Sequence, residues 1–275
     1  MNFPKIISLV TTAWGHIPQK NIFKNFLLKR IGHPHPYGRL RAISVMKHIK
    51  SENKNLLDAG CGTGTFSREL VLRGFKVTGV DTDNEAIKSC INNMQQLNLD
   101  YPVIKESIMD LKSFEDESFD VIISTDVIEH VQSPEKAISE LKRVLKKDGQ
   151  LIITVPTPLY LSKPILPLDF SKHLEEIGHL TEGWYEEDGI TFLNKLGLKV
   201  ERSFYFGFFP IRLILEFLYF ISGVKGIKKT RKNMYEVKWF PLIIYLSLCP
   251  FLYLEKLFSE KKRGAFIVFV TCKDN

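Results

Sequence analysis

The chain of 275 residues is long enough for one domain with additions or for two small domains. Its content of 44% hydrophobic and 25% charged residues is typical of a globular protein with a core, which excludes a disordered chain or a repetitive fibre. The net charge of +7 is divided unevenly, because residues 1–50 and 202–275 are basic whereas residues 51–201 are acidic. The basic ends are therefore expected to meet an anionic partner, either a membrane surface or a nucleic acid.

The four cysteines do not form a pattern that indicates disulfide bonds or a metal site. None of them has C-x-x-C spacing; they are Cys61, Cys90, Cys249 and Cys272. Reduced thiols in a cytoplasmic protein are the simplest interpretation.

Patterns of strand and helix alternate from Asn55 onward, which predicts a parallel sheet with helices on both faces. In chain order the predicted elements are strand 55–60, helix 65–74, strand 76–81, helix 84–97, strand 102–107, strand 119–126, helix 134–147, strand 150–156, helix 184–197, strand 199–209 and strand 265–274. Pro134 is expected at the first position of its helix, and Asp148-Gly149 are expected to end that helix.

Three glycines follow the first predicted strand at every second position, in LLDAGCGTG. Such a turn between a strand and a helix brings the backbone close to a ligand and directs amide N–H groups toward it. Asp81 ends the second strand, where a carboxylate can accept hydrogen bonds from ribose hydroxyls. The pattern indicates a nucleoside cofactor without specifying which one.

Four segments in order, LLDAGCGTG, VTGVD, SFDVIISTDVIEHV and LKRVLKKDGQLIITVP, resemble the class I S-adenosylmethionine-dependent methyltransferases. The similarity is to the O-methyltransferases of ubiquinone and menaquinone biosynthesis, and it covers about residues 55–156. It implies a Rossmann-like, doubly wound α/β sheet of seven strands in the order 3-2-1-4-5-7-6, with strand 7 antiparallel. It also implies S-adenosyl-L-methionine as the cofactor. A nicotinamide enzyme would need a further glycine where Thr65 stands.

The resemblance also implies which residues meet the cofactor. The acid of the first strand receives the methionine ammonium through water, the acid of the second strand receives the ribose, and an acid in SIMDL lies by the adenine amino group. An arginine before the first strand, either Arg39 or Arg41, contacts the cofactor carboxylate in these relatives; the alternative is that both arginines belong to the basic N-terminal face. The predicted cofactor residues are Asp58, Gly60, Cys61, Gly62, Gly64, Asp81, Thr82, Asp110, Thr125 and Arg41.

The segment DVIEH follows the fourth strand, at the edge where this fold binds its substrate. If a helical turn begins there, Asp126, Glu129 and His130 share one face. His130 is a candidate general base for removing the acceptor's proton, because an imidazole titrates close to neutral pH, and Glu129 is a further catalytic candidate. Related quinone and small-RNA methyltransferases hold a divalent ion with E-x-x-E-H, but Asp126 replaces the first glutamate, and no metal is predicted. A purely structural role of Glu129 and His130 is the remaining alternative.

Two further histidines, His173 and His179, lie in the predicted loop that covers the substrate. His179 matches a histidine often seen in relatives just before the next helix. It is therefore a second candidate for a base or for a substrate contact.

Residues 209–263 interrupt the regular pattern with apolar runs at 206–222 and 239–255, joined by a bridge with five basic residues. Each run is marginal as a membrane span, and the first suits a helix lying in the interface. The expected domain organisation is a basic helical segment 1–50, a methyltransferase domain 51–208 and 264–275, and an insert 209–263 at the membrane interface. Packing of the insert on the core or on a second subunit is the alternative.

These observations predict an enzyme that O-methylates an amphipathic or lipid-linked small molecule. We expect it in the cytoplasm, peripheral on an anionic inner membrane surface. A soluble enzyme that dimerises through its insert, an RNA methyltransferase and a non-catalytic cofactor-binding protein are the other readings. No N-P-P-Y-like motif or Pro-Cys nucleophile supports a nucleic-acid substrate.

Overall fold

The computed structural model describes residues 22–23, 26, 36–49, 54–96, 98–158, 178–207 and 264–273, and there it confirms the predicted alternation of strands and helices. The elements in chain order are α1 Pro36–Met46, β1 Asn55–Ala59, α2 Thr65–Val71, β2 Lys76–Asp81, α3 Asn84–Gln96, β3 Val103–Lys105, β4 Phe119–Thr125, a 3-10 turn Ile128–His130, α4 Pro134–Val144, β5 Leu145–Pro156, α5 Glu186–Lys195, β6 Leu198–Phe206 and β7 Phe266–Lys273.

The strands form one seven-stranded sheet in the order β3-β2-β1-β4-β5-β7-β6. Neighbouring strands from β3 to β5 are parallel, whereas β7 runs antiparallel to both β5 and β6. The predicted order and the predicted antiparallel strand are therefore confirmed. Because the carboxyl ends of β1, β2 and β4 meet at one edge, the loops that follow these strands lie close together.

The sheet is buried on both faces, as the apolar runs of its central strands predict. Successive side chains of a strand face opposite sides, so Leu56 and Leu57 enter different clusters of the core. Leu56 packs in the cluster with residues of α1, α2 and α3, whereas Leu57 packs in the cluster with residues of α4 and α5. Burial of α1, through Leu40 and Val45, attaches this helix to the sheet.

The boundary between α4 and β5 differs from the prediction. Pro134 is at the first helical position as expected, and the Lys136 N–H donates to the Ser133 side chain at the helix start. The expectation that Asp148-Gly149 end this helix is wrong, because α4 ends at Val144. Leu145 is fully buried and pairs with Phe119, so the backbone is already extended five residues before the predicted strand.

Among the described residues, no helix has the length and apolarity needed to cross a membrane. The predicted insert 209–263 lies outside the described residues, as does most of segment 1–50. The division of the chain into three parts therefore stays a prediction.

Candidate active site

The glycine turn joins β1 to α2 with left-handed backbone at each glycine. The φ angles are 86° at Gly60, 54° at Gly62 and 76° at Gly64. A β-carbon at Gly60 would lie 2.3 Å from Cγ2 of Val127, and one at Gly64 would lie 2.4 Å from Sγ of Cys90. A β-carbon at Gly62 would meet no atom within 4 Å. The outer glycines are therefore required by packing as well as by backbone conformation, and the middle one borders open space.

Asp81, at the end of β2, has both carboxylate oxygens fixed by backbone amides. The Gly62 N–H donates to Oδ2 at 2.8 Å, and the Asp83 N–H donates to Oδ1 at 2.9 Å. Thr82, which follows, is exposed. The predicted ribose acid and the middle glycine are thus brought together, although nineteen residues separate them.

Asp58 is buried beneath the glycine turn, with 1% of its surface exposed. The Ser67 hydroxyl donates a hydrogen bond of 2.5 Å to Oδ2 of Asp58. Burial raises the pKa of Asp58 from its ordinary 3.8 to about 6, although the hydrogen bond from Ser67 lowers it. A cation bound close to this carboxylate would favour its charged form.

Of the two candidate arginines, Arg41 reaches the site, whereas the side chain of Arg39 lies outside the described set. Arg41 forms an ion pair with Asp126, the residue that follows β4. Thr125, the last residue of β4, is half-buried and pairs with Thr154 of β5. This arrangement connects α1 to the edge of the sheet at which the glycine turn lies.

Two predicted cofactor residues have surroundings that their motifs did not indicate. Asp110 is a half-buried residue whose carboxylate pairs with the Lys112 ammonium at 2.7 Å, which holds the pKa of Asp110 below its usual value. Cys61 is buried, and a β-carbon added at Gly79 of β2 would lie 2.9 Å from its Sγ. The Cys61 side chain thus packs beneath the turn while its N–H donates to the Val80 carbonyl.

The histidines predicted for the acceptor side, His130 and His179, are in contact. Their ring centroids are 4.6 Å apart in an edge-to-face arrangement. Nδ1 of His130 lies 2.9 Å from the Gly178 carbonyl oxygen, and the Leu180 N–H donates to the Glu129 carbonyl at 2.8 Å. These bonds attach segment 178–180 to the 3-10 turn. His173 lies outside the described residues.

Glu129 is a buried acid, with 1% of its surface exposed. Neither carboxylate oxygen has a hydrogen-bond partner within the described part of the chain. Burial, with a contribution from the nearby charge of Asp126, raises the pKa of Glu129 well above its ordinary value. The protonated, neutral form is therefore favoured at this position.

The side chains of Glu129, His130 and His179 offer ligand atoms that all lie within 4.8 Å of one another. This set differs from the one considered from the sequence, because His179 takes the place of Asp126. Asp126 precedes the 3-10 turn, has φ of 54° and is paired with Arg41. The donors have the types that a divalent ion uses, but Glu129 would have to ionise.

Three residues that contribute to the site were not predicted from the sequence. Ser67 binds Asp58, Thr154 binds Asp126, and Val127 packs against Gly60. Thr154 had a recognisable signal, because it is a polar residue inside the apolar run LIITVP of a strand buried on both faces. Ser67 and Val127 had no comparable signal, since both are unremarkable in a helix and a loop.

Known proteins resemble this chain in sequence and in fold. Residues 57–153 match a family model described as "Methyltransferase domain". The chain is 29% identical over 125 residues to a ubiquinone biosynthesis O-methyltransferase of Rickettsia bellii, a match covering 44% of this chain and 51% of the relative. It is 31% identical over 127 residues to a mitochondrial ubiquinone biosynthesis O-methyltransferase of Dictyostelium discoideum, covering 42% and 39%. The chain thus spans about half the length, or less, of these relatives.

A solved S-adenosylmethionine-dependent methyltransferase from Thermotoga maritima shares the fold, with a TM-score of 0.54 and 20% identity. The superposition covers 85% of this chain and 88% of that one. The family match and the sheet order agree, so the chain contains a class I S-adenosylmethionine-dependent methyltransferase domain. Its methyl donor is S-adenosyl-L-methionine.

Proposed function

We propose that the chain transfers the methyl group of S-adenosylmethionine to a hydroxyl oxygen of a small molecule, with His130 as the general base. The observation that carries this proposal is the contact between His130 and His179, because His130 ends the 3-10 turn that follows Val127, the residue packed against Gly60. The acceptor oxygen attacks the methyl carbon, the S–C bond breaks, and its electron pair remains on sulfur as S-adenosylhomocysteine forms. His130 takes the hydroxyl proton.

The cofactor half of the proposal assigns each group of the ligand to a side chain. Asp81 would accept hydrogen bonds from the ribose, and its two existing bonds to backbone amides hold it in place for this role. Asp58 would face the methionine ammonium, and Arg41 would face the methionine carboxylate. Each charged group at the amino-acid end of the cofactor would then lie near a side chain of opposite charge. The open space beside Gly62 leaves room for a ligand to approach the backbone.

The cofactor assignment is tested by isothermal titration calorimetry of S-adenosylhomocysteine with Asp81→Ala. Affinity is expected to fall by ~10-fold or more, because charge-assisted hydrogen bonds contribute about 1.5–3 kcal/mol. Glu85→Ala is the matched control, since this exposed carboxylate of α3 pairs only with Lys88 among its described contacts. Unchanged affinity in Asp81→Ala would sink the assignment of this acid.

The acceptor is proposed to be amphipathic or lipid-linked and to be methylated at an anionic membrane surface. Support comes from the names of the relatives, which concern ubiquinone biosynthesis, and from the apolar runs and the basic bridge of residues 206–255. Basic residues at an anionic surface contribute about 1 kcal/mol each.

Flotation of the purified full chain with neutral or anionic liposomes, at low and high salt, tests this location. Binding to anionic liposomes that salt partly releases is the expected outcome. If the protein sediments away from every liposome, the apolar runs are internal or subunit contacts, and water-soluble acceptors become the better candidates.

A further inference from the structure

Asp126 is held in an uncommon backbone conformation by one threonine. Its φ of 54° lies in the left-handed region, which short polar side chains tolerate better than other non-glycine residues. The Asp126 N–H donates to the Thr154 carbonyl at 3.0 Å and also lies 3.2 Å from the Thr154 hydroxyl. That hydroxyl in turn donates to Oδ1 of Asp126 at 2.8 Å. Because Thr154 is fully buried within β5, the sheet fixes the direction of the Asp126 carboxylate.

The second oxygen of this carboxylate, Oδ2, forms the ion pair with Arg41. The two residues are 85 positions apart, and their side chains are about a fifth and a quarter exposed. The positive charge of Arg41 is felt at neighbouring acids, since it lowers the pKa of Asp58 and of Glu129 against the effect of burial. The ion pair thus links α1 to the residue that precedes Val127, which packs against Gly60 of the glycine turn.

Arg41 keeps hydrogen-bonding capacity after this pairing. A guanidinium has five N–H donors in a planar fork, and the Asp126 pair engages NH1. Its Nε is buried without a hydrogen-bond partner in the described ranges. A second anion at this guanidinium would complete its bonding, and a carboxylate has the geometry for it.

We propose that Thr154 and Asp126 are positioning residues that hold Arg41 for the carboxylate of the cofactor. This inference rests on the proposed function, in which Arg41 meets that carboxylate. A long arginine side chain samples many rotamers when it is free, so a fixed carboxylate behind it reduces the ordering required when the ligand binds. Asp126 thus acts on the cofactor through Arg41, without touching the cofactor itself.

The experiment compares two ligands that differ at the amino-acid end. S-adenosylhomocysteine carries the carboxylate, whereas 5′-methylthioadenosine has the same adenosine thioether without the amino-acid portion. Titration calorimetry is carried out with the full chain and with Asp126→Asn and Thr154→Val. Asparagine tolerates left-handed backbone, and valine replaces threonine at nearly the same volume.

Asp126→Asn is expected to bind S-adenosylhomocysteine about tenfold more weakly, and Thr154→Val about threefold more weakly, because each loses a hydrogen bond of the relay. Both variants should bind 5′-methylthioadenosine as the parent chain does. Thr271→Val is the matched control, since this threonine of β7 is also fully buried and its hydroxyl donates to the Leu151 carbonyl at 3.1 Å. Its affinities for both ligands should not change.

Several results would overturn the inference, and each has a separate meaning. If Thr154→Val lost equal affinity for both ligands, the effect would be general damage to the fold. If both variants kept the parent affinity for S-adenosylhomocysteine, the relay would have no role in binding. Tighter binding of S-adenosylhomocysteine to Asp126→Asn would mean that Asp126 competes with the cofactor carboxylate. If the parent chain bound neither ligand, the proposed function itself would fail, and the inference with it.

Discussion

At the cofactor side of the site, the carboxylates of Asp58 and Asp81 are held in part by residues close to them in the chain, whereas Arg41 and the acceptor side are held by distant ones. Asp83 and Ser67 bind the carboxylates of Asp81 and Asp58 over two and nine positions. In contrast, His130 contacts the carbonyl of Gly178 across 48 positions. The two cofactor carboxylates are therefore partly encoded by local motifs, whereas Arg41 and the acceptor side depend on segments brought together by the fold.

The two sides also differ in how completely their acids are satisfied. Both oxygens of Asp81 accept hydrogen bonds, but neither oxygen of the buried Glu129 does so among the described residues. A buried polar group without a partner costs free energy, which a bound acceptor with a suitable donor or acceptor atom would offset. Substitutions on the two sides should therefore affect different measurements.

The largest expected effect is on turnover. His130→Ala should lower kcat by about 10²–10⁴-fold, the usual contribution of a general base, while the affinity for S-adenosylhomocysteine stays unchanged. The assay is methyl transfer from labelled cofactor to a prenylated catechol in detergent. His48→Ala is the control, because His48 packs against Phe204, with ring centroids 4.5 Å apart, and takes no part in the proposed chemistry. Full activity of His130→Ala would mean that a group other than His130 removes the proton from the acceptor.

The next effect is on stability and separates two glycines of the same turn. Gly60→Ala should reduce the free energy of unfolding by roughly 2–4 kcal/mol, because the new methyl group overlaps Val127 and the backbone is left-handed. Gly62→Ala has open space and should cost only about 1–2 kcal/mol. Urea denaturation measures both. Equal losses of unfolding free energy in the two variants would show that the left-handed backbone, and not packing against Val127, is the reason for glycine at position 60.

A smaller effect concerns pH and Asp58. Because burial raises its pKa to about 6, the contribution of this group to stability is fully present below its ordinary pKa of 3.8 and is lost as the pH rises through about 6. A bound ammonium favours the ionised form, so affinity for S-adenosylhomocysteine should rise about tenfold from pH 5 to pH 7 and then level off. Asp58→Asn should abolish this rise in affinity with pH. If the rise persists in the variant, it comes from the titration of another group.

The smallest expected effect is that of a chelator. Methyl transfer should continue unchanged after dialysis against EDTA, because Asp126 is engaged by Arg41 and burial favours the neutral form of Glu129. The same assay with added Mg²⁺ or Mn²⁺ is the control. Activity that EDTA removes and Mn²⁺ restores would instead make Glu129, His130 and His179 metal ligands.

The fold and the cofactor turn could be predicted from the sequence because their signals are local. Strand order followed from the resemblance of four segments, and the meeting of Gly62 with Asp81 follows from adjacent parallel strands. The boundary of β5 could not be predicted in this way, because Leu145 becomes extended only through its pairing with Phe119. Asp148-Gly149 predicted a later end of α4, but the pairing of Leu145 with Phe119 ends the helix at Val144.

The relay from Thr154 to Arg41 could not be predicted for a related reason. Spacing alone left Arg39 and Arg41 equivalent, and a regular helical face for Asp126 was a natural assumption. The left-handed backbone of Asp126 instead directs its carboxylate toward a helix 85 positions earlier. Only the packing of α1 on the sheet brings these side chains together.

The chain leaves the sheet at the end of β6 and returns to it beside the same point at the start of β7. β6 ends at Phe206, β7 begins at Phe266, and these two residues are paired with their rings stacked 5.1 Å apart. The Ala265 N–H donates to the Gly207 carbonyl just beyond them, so the ends of the intervening segment are already closed. Each doubling in length of such a loop adds only about 0.6 kcal/mol of closure entropy. The β6–β7 junction can thus accept inserted segments of very different length with little added closure entropy and no change to the paired strands.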